Sequence, residues 1–271
     1  MGDLERRKMM SSDERTGQYN ENFIVALQWM WGDGYLAPGG AGEVEELLRD
    51  VDLTGSRVLD IGSGLGAIAI LLAERHGAKE VVGIDVEPHL VEHSRDRARN
   101  AGVSNRVTFE LVEPGPLPFA DASFDAVFTK DAIVHIPDKP PFYGEVLRVL
   151  KPGGLFIGSD WLRGGSGEPP PIARDWLAFV HLDFRMRNLD ETKEALETAG
   201  FLDVRMNDRN HWYQNEVKTE LAALTGARFE GLVERIGEAA ADYRRRSSEL
   251  KRQVIDAGFL RPTHFLGYKP G

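Results

Sequence analysis

The chain has 271 residues, a size at which one elaborated core is the default, and its 42% hydrophobic and 28% charged composition is that of an ordinary folded protein. A formal charge of −10 argues against a nucleic-acid partner, because a phosphate backbone is held by clustered Lys and Arg. No apolar run reaches the ~18 residues of a membrane span, and no signal-peptide apolar region follows the charges at Glu5–Lys8, so no membrane partner and a cytoplasmic location are expected. The absence of cysteine excludes disulfides, a thiolate metal site and a thiol nucleophile.

In chain order, residues 18–40 open with an aromatic-rich helix carrying Phe23, Ile24, Leu27, Trp29, Met30 and Trp31, and end at Pro38-Gly39-Gly40. Residues 57–160 then alternate short β-rich runs with helical stretches, the pattern of a parallel sheet covered on both faces. Strands are predicted at Arg57–Ile61, Glu80–Ile84, Arg106–Glu110, Phe124–Phe128 and Leu155–Ser159, with helices at Gly66–His76, Pro88–Ala101 and Pro141–Leu150. Lys151-Pro152-Gly153-Gly154 reads as a helix stop and turn. Residues 161–188 begin as a Gly/Pro loop and turn aromatic; a helix at Leu189–Gly200 and a strand at Leu202–Met206 follow. A charged helical stretch from Asn215 to Ala257 precedes a last strand near Thr263–Tyr268, and looks like an insertion that caps the site.

The most informative run is Val58-Leu59-Asp60-Ile61-Gly62-Ser63-Gly64-Leu65-Gly66. Here a strand turns into a helix through three alternate glycines, which admit a ligand close to the backbone. Gly62, Gly64 and Ala67 also fit the dinucleotide spacing, with Asp85 at the end of the next strand to grip a ribose, so a nicotinamide oxidoreductase is one reading. The other is S-adenosylmethionine (SAM), which has no phosphate but carries an ammonium and a sulfonium. Asp60 suits that cationic end, Asp85 the ribose and Glu113 the adenine edge. After the fourth strand, Thr129-Lys130-Asp131-Ala132-Ile133-Val134-His135 lies where α/β sheets bind ligands. Asp131 and His135 share a face if the segment is helical, and the imidazole is a candidate general base. They have no third partner of metal-ligand spacing, so no metal is expected.

The ordered set, completed by Phe124-Asp125 and Leu150-Lys151-Pro152-Gly153-Gly154, resembles the class I SAM-dependent methyltransferases. That resemblance implies a doubly wound, Rossmann-like α/β fold of seven strands, the last antiparallel. It also implies SAM as cofactor, S-adenosylhomocysteine as product and a small-molecule methyl acceptor as partner. Gln18-Tyr19-Asn20 and Trp31-Gly32-Asp33-Gly34-Tyr35-Leu36-Ala37-Pro38-Gly39-Gly40 extend the resemblance to the phosphoethanolamine and small-amine N-methyltransferases, from Gln18 to about Tyr268. It implies that Tyr19 and His135 form a catalytic pair that latches the site. It further implies that Gln18, Leu36, Ala37, Gly62, Asp85, Val86, Glu113, Pro114 and Lys130 contact SAM; Asp60, Gly64 and Gly66 join this set from the reading of the loop itself.

That family grips its substrate phosphate with tyrosines and basic residues in the segment after the fifth strand, whereas the nearest counterparts of the tyrosines here are Trp161, Phe179 and Phe184. Arg185, Arg187, Arg244, Arg245, Arg246 and Lys251 are the basic residues available nearby. Trp29, Trp31, Tyr35, Trp161, Trp176, Trp212 and Tyr213 are candidates for a cage around a methylated ammonium, or for plain core. The expected organisation is a single domain over 1–271, with a lid at 18–40, a SAM-binding core at 57–160 and cap segments at 161–188 and 207–260. Transfer to an oxygen, sulfur or carbon acceptor, or SAM binding without catalysis, are the other readings of the same residues.

Overall fold

Strand β1 (Arg57–Ile61) is buried at four of its five positions, which is why it is written almost entirely in apolar residues. In the computed structural model, which describes residues 19–181 and 184–271, β1 lies between parallel neighbours β2 (Glu80–Asp85) and β4 (Phe124–Lys130). The sheet grows outward from this pair through β3 (Val107–Leu111) beyond β2 and β5 (Leu150–Arg163) beyond β4. The full order is β3-β2-β1-β4-β5-β7-β6. Strand β7 (Leu260–Tyr268) runs antiparallel between β5 and β6 (Leu202–Asp208). This is the seven-stranded, mostly parallel sheet expected from the sequence.

Helices cover both faces. On one, α2 (Gly40–Leu47), α3 (Ala67–Arg75) and α4 (Pro88–Asn100) bury Val44, Ala69, Leu72, Val91 and Ala98 against the strands. On the other, α5 (Lys139–Val149) and α7 (Leu189–Ala199) bury Tyr143, Val146, Val149 and Leu196. Each buried Val or Leu side chain among them contributes about 1.5–3 kcal/mol, and the alanines less. Asn20 caps α1 (Glu21–Trp31) by accepting from the Phe23 amide at 2.9 Å. Above the strand ends, α1 packs with α8 (Asn210–Thr225), α9 (Phe229–Ile236) and α10 (Glu238–Asp256) through Ala26, Leu224, Leu232, Ile236 and Ala241. Helix α6 (Pro171–Val180) joins them through Trp176, which shares a cluster with Tyr213 and Val254.

Three local features depart from the sequence-based expectation. Helix α2 was not anticipated, since glycines at both Gly40 and Gly42 weaken its pattern. The single charged stretch divides at Gly226 and Gly237 into three helices. Lys151–Gly154 is not a turn ahead of β5 but a bulge within it: Phe124 faces Leu150, and two residues on, Ala126 faces Leu155. No helix among the described residues is long and apolar enough to cross a membrane.

Candidate functional site

The strand order reverses between β1 and β4, and a crevice opens at their carboxyl ends, as α/β sheets dictate. The glycine loop forms its floor. Gly62, at φ 73°, sits so close to the Asp131–Ala132 turn that a Cβ would lie 2.4 Å from that of Ala132. The Gly62 and Ser63 amides both donate to the Ile84 carbonyl, at 2.9 and 3.0 Å. Asp85 accepts from the Gly64 amide at 2.9 Å and the Glu87 amide at 3.0 Å. Loop, β2 and β4 are therefore locked together before any ligand arrives. Arg97 ties the N-terminal segment down by donating to Leu65 O, 3.1 Å, and to both carboxylate oxygens of Asp33, 2.5 and 2.9 Å.

This crevice is a cavity of about 830 Å³ whose wall includes Leu36, Ala37, Gly62, Gly64, Asp85, Val86, Glu113, Pro114 and Lys130, with Tyr19, Asp131 and His135 at one end. Asp60 and Gly66 lie behind that wall. Gly66 caps α3 at φ 82°, pressed against Phe109 and Ser94. Asp60 is 1% exposed, and its Oδ2 has no hydrogen-bond partner. Burial, reinforced by the Asp85 charge, pushes its carboxyl up to about 7. Gln18 lies outside the described residues.

Asp131 occupies the left-handed region at φ 57°, a strained conformation for a residue with a Cβ. It is held there by its amide donating to Ser159 O (2.8 Å), by the Ser159 hydroxyl (2.9 Å) and by Lys130 Nζ (3.0 Å). A single 3₁₀ turn, Ile133–His135, follows. Two charged residues that the sequence reading missed pin this turn. Asp160, 3% exposed, accepts from the Val134 amide at 2.9 Å, while Lys139, 1% exposed, donates to Ile133 O at 2.6 Å and Ile136 O at 3.2 Å. Burial raises the Asp160 carboxyl and lowers the Lys139 ammonium, each opposed by the other's charge. Their signal in the sequence was faint, because a lysine opening a helix ordinarily reads as surface.

Lys139→Met keeps the stem but removes the ammonium from Ile136 O and from Ile133 O, of which only Ile133 O keeps another donor, the Ile136 amide at 2.9 Å. At about 1–3 kcal/mol for one unsatisfied buried group, the variant is expected to lose about 1–3 kcal/mol of stability and to turn over more slowly. Chemical denaturation beside steady-state kinetics measures both, and a variant unchanged in both would show that Lys139 does not hold the turn.

The His135 ring stands edge-on to Tyr19 with centroids 6.4 Å apart, and 5.4 Å from Phe184. The Tyr19 carbonyl is fixed by a 3.0 Å hydrogen bond from the His89 ring on α4. Burial, then the charges of Asp85, Asp131 and Glu87, raise the Tyr19 phenol far above its usual range, so it is a neutral donor at physiological pH. On the other side of this pair lies a second cavity of about 680 Å³. The two cavities share Tyr19, Leu36, Ala37, Asp131 and His135. Of the aromatic candidates, Trp31, Trp161 and Trp176 line the second cavity and Tyr35 the first. Trp29 and Trp212 instead stack under Arg228 and Arg209, and Tyr213 is buried with its hydroxyl on Glu220, 3.0 Å. Among the described residues, no group of three His, Asp or Glu stands close enough to hold a metal ion.

Comparison with known proteins decides between the two readings of the glycine loop: the profile of a methyltransferase domain matches residues 52–220. The chain belongs to the class I SAM-dependent methyltransferases. Within this family it is 30% identical over 254 residues to a phosphoethanolamine N-methyltransferase of Triticum aestivum, covering 93% of this chain and 49% of the relative. The chain thus spans about half the length of that curated relative. It is also 31% identical over 238 residues to the 27-O-demethylrifamycin SV methyltransferase of Amycolatopsis mediterranei, covering 80% of this chain and 83% of that one. Among solved structures, phosphoethanolamine N-methyltransferase 2 of Haemonchus contortus, in complex with phosphomonomethylethanolamine and S-adenosylhomocysteine, superposes with a TM-score of 0.87 at 25% identity. That match covers 95% of this methyltransferase and 59% of the other chain.

Proposed function

We propose that this methyltransferase transfers the methyl group of SAM to the nitrogen of a small-molecule amine, with His135 and Tyr19 as the catalytic and latching pair. The observation that carries the proposal is their placement: both rings form the partition between two cavities, one walled by the glycine loop and one by the cap. The first cavity fits SAM by the carboxyl groups on and behind its wall. The buried, unpartnered Asp60 oxygen beneath the loop offers negative charge to a cationic ligand end, Asp85 offers carboxylate oxygens to ribose hydroxyls, and Glu113 lies on the wall for the adenine edge.

SAM supplies a methyl group already activated by its sulfonium and leaves as S-adenosylhomocysteine. The protein's part is alignment, water exclusion and proton removal. The acceptor nitrogen's lone pair forms the new C–N bond as the S–CH₃ bond breaks toward sulfur, and His135 takes the proton that the nitrogen sheds. Tyr19, neutral throughout, donates from the same partition. Residues 18–40 serve as the lid and the segments at 161–188 and 207–260 as the cap of a single domain. Alignment of two reactants offsets ~7–11 kcal/mol of a bimolecular barrier, more than the roughly 10²–10⁴-fold of a general base.

Tyr19→Phe removes one hydroxyl and is expected to lower kcat/KM by roughly 10-fold, the worth of one hydrogen bond of about 1–1.5 kcal/mol. Steady-state kinetics with both substrates varied measures it, and unchanged constants would remove the latch. The function itself is tested by mass spectrometry after incubation with SAM and a panel of phosphoethanolamine, ethanolamine, glycine, sarcosine, phenols and thiols. Mass gain on an amine supports the reading; gain confined to a phenol or thiol overturns the choice of acceptor. A second reading, transfer to a hydroxyl oxygen, is favoured by the apolar lining of the second cavity and by the likeness to the Amycolatopsis O-demethylrifamycin methyltransferase.

A further inference from the structure

The second cavity is large for the smallest amines. Its volume of about 680 Å³ falls in the ~300–1,000 Å³ range of pockets that enclose drug-sized ligands. At the ~30 Å³ that a water occupies in the liquid, it admits up to roughly 20 non-hydrogen atoms. Most of its wall is apolar, with Phe23, Met30, Trp31, Trp176, Phe184 and Leu232 on it. Away from the Tyr19–His135 partition its charged residues are Glu220, Arg244 and Lys251.

These three are not alike. Glu220, 2% exposed, accepts from Lys251 Nζ at 2.6 Å, the Tyr213 hydroxyl at 3.0 Å and the Ser248 hydroxyl at 3.4 Å, so Glu220 and Lys251 neutralise each other. Arg244 has a different environment. Its guanidinium lies 4.5 Å over the Phe23 ring and has no hydrogen bond or ion pair with any described residue. A guanidinium brings five N–H donors and a charge that persists at any physiological pH. Part of the side chain keeps contact with solvent, but the apolar wall around the guanidinium offers it no acceptor, so an anion entering the chamber would supply the partner that wall lacks. Burial already presses its pKa downward, with Glu220 the largest opposing influence.

Position adds the last element. From Arg244 the wall runs through Phe23 to Tyr19, 5.4 Å between ring centroids, and on to His135 at 6.4 Å. The cation is therefore set two aromatic rings away from the imidazole. We infer that the methyl acceptor is an amphipathic anion: its nucleophile at Tyr19 and His135, its apolar body along the ring-lined wall, and a carboxylate or phosphate on Arg244. The inference rests on the proposed function only in placing the nucleophile; the anion subsite stands on the cavity and Arg244.

The test is binding to the complex with S-adenosylhomocysteine, followed by the fluorescence of the cavity tryptophans. The probes are decyl phosphate, decanoate and decanol. Wild type is expected to bind the better of the two anions at least about 10-fold more tightly than the alcohol, as charge-assisted hydrogen bonds to a fixed guanidinium require. Whichever anion binds better identifies the headgroup. Arg244→Gln is expected to erase that preference by weakening the anion about 10-fold, with the alcohol and S-adenosylhomocysteine unaffected. Equal binding of anion and alcohol by wild type, or an equal loss of both in the variant, overturns the inference. Methylation of 10-aminodecyl phosphate is then compared with that of phosphoethanolamine. If the anion preference holds while neither amine is methylated, the choice of acceptor atom falls and the anion subsite remains. If phosphoethanolamine is methylated with equal or higher kcat/KM, the apolar-body requirement falls.

Discussion

His135→Ala is expected to slow turnover by roughly 10²–10⁴-fold while changing SAM affinity only a few-fold. The range is what a positioned general base contributes, and the structure gives reasons to expect the loss to lie in kcat. The imidazole belongs to both cavities and sits at the end of a turn fixed by Asp160 and Lys139, so the geometry around the missing ring persists. The glycine loop, Asp85 and Glu113, which line the same cavity, do not depend on it. Single-turnover rates at saturating acceptor, with SAM affinity measured by calorimetry, separate the two effects. Normal turnover in the variant would exclude His135 from the mechanism.

The second large effect is on the cofactor and carries a sign. In the free protein, burial and the neighbouring Asp85 hold the Asp60 carboxyl at about 7, so it is partly protonated near neutrality. A cationic ligand end favours the carboxylate and lowers that value. Binding therefore releases a proton where Asp60 begins protonated. SAM affinity is expected to rise as pH increases through about 7 and to level off above it, falling away as the carboxyl is protonated at lower pH. Asp60→Asn keeps the volume and removes the titration. It should bind SAM about 10–100-fold more weakly, on the scale of ~1.5–3 kcal/mol for a hydrogen bond to a charged group, with this pH dependence gone. Calorimetry in two buffers of different ionisation enthalpy reads the proton directly. A wild-type affinity that is flat between pH 6 and 8 would dismiss Asp60 as the partner of the cationic end.

Much of the core was legible because its demands are local. The glycine loop, the acidic ends of β1 and β2 and the Lys130–His135 segment each place a recognisable residue type at a strand end, while the strand count and the antiparallel last strand came with the family resemblance. The cap was less legible. Arg244, Arg245 and Arg246 are adjacent in sequence, yet Arg245 faces Asp242 and Glu249 on the outside of α10 while Arg244 and Lys251, seven residues apart, line the cavity. The helical period picks out that pair, but only packing against α1 and α8 tells which phase faces in. The aromatic residues were ambiguous for a related reason. A tryptophan is equally satisfied by an arginine plane, as at Trp29, or by a cavity wall, as at Trp31. Lys139 and Asp160 escaped notice because a buried charge advertises itself only through the backbone groups it meets in space.

The position of β7 bears on how the chain reaches this state. Strand β6 has no neighbour in the sheet other than β7, and β7 is separated from it in sequence by the three cap helices. The far edge of the sheet therefore cannot pair until α8, α9 and α10 have been synthesised and have looped back. During synthesis β6 waits as an unpaired edge, exposed to misassociation in the way free edges are, and its closure carries the entropic cost of a long loop. When β7 inserts, one event completes the sheet and anchors both ends of the cap, so the Arg244 wall and the strands beneath it are coupled in folding as well as in space.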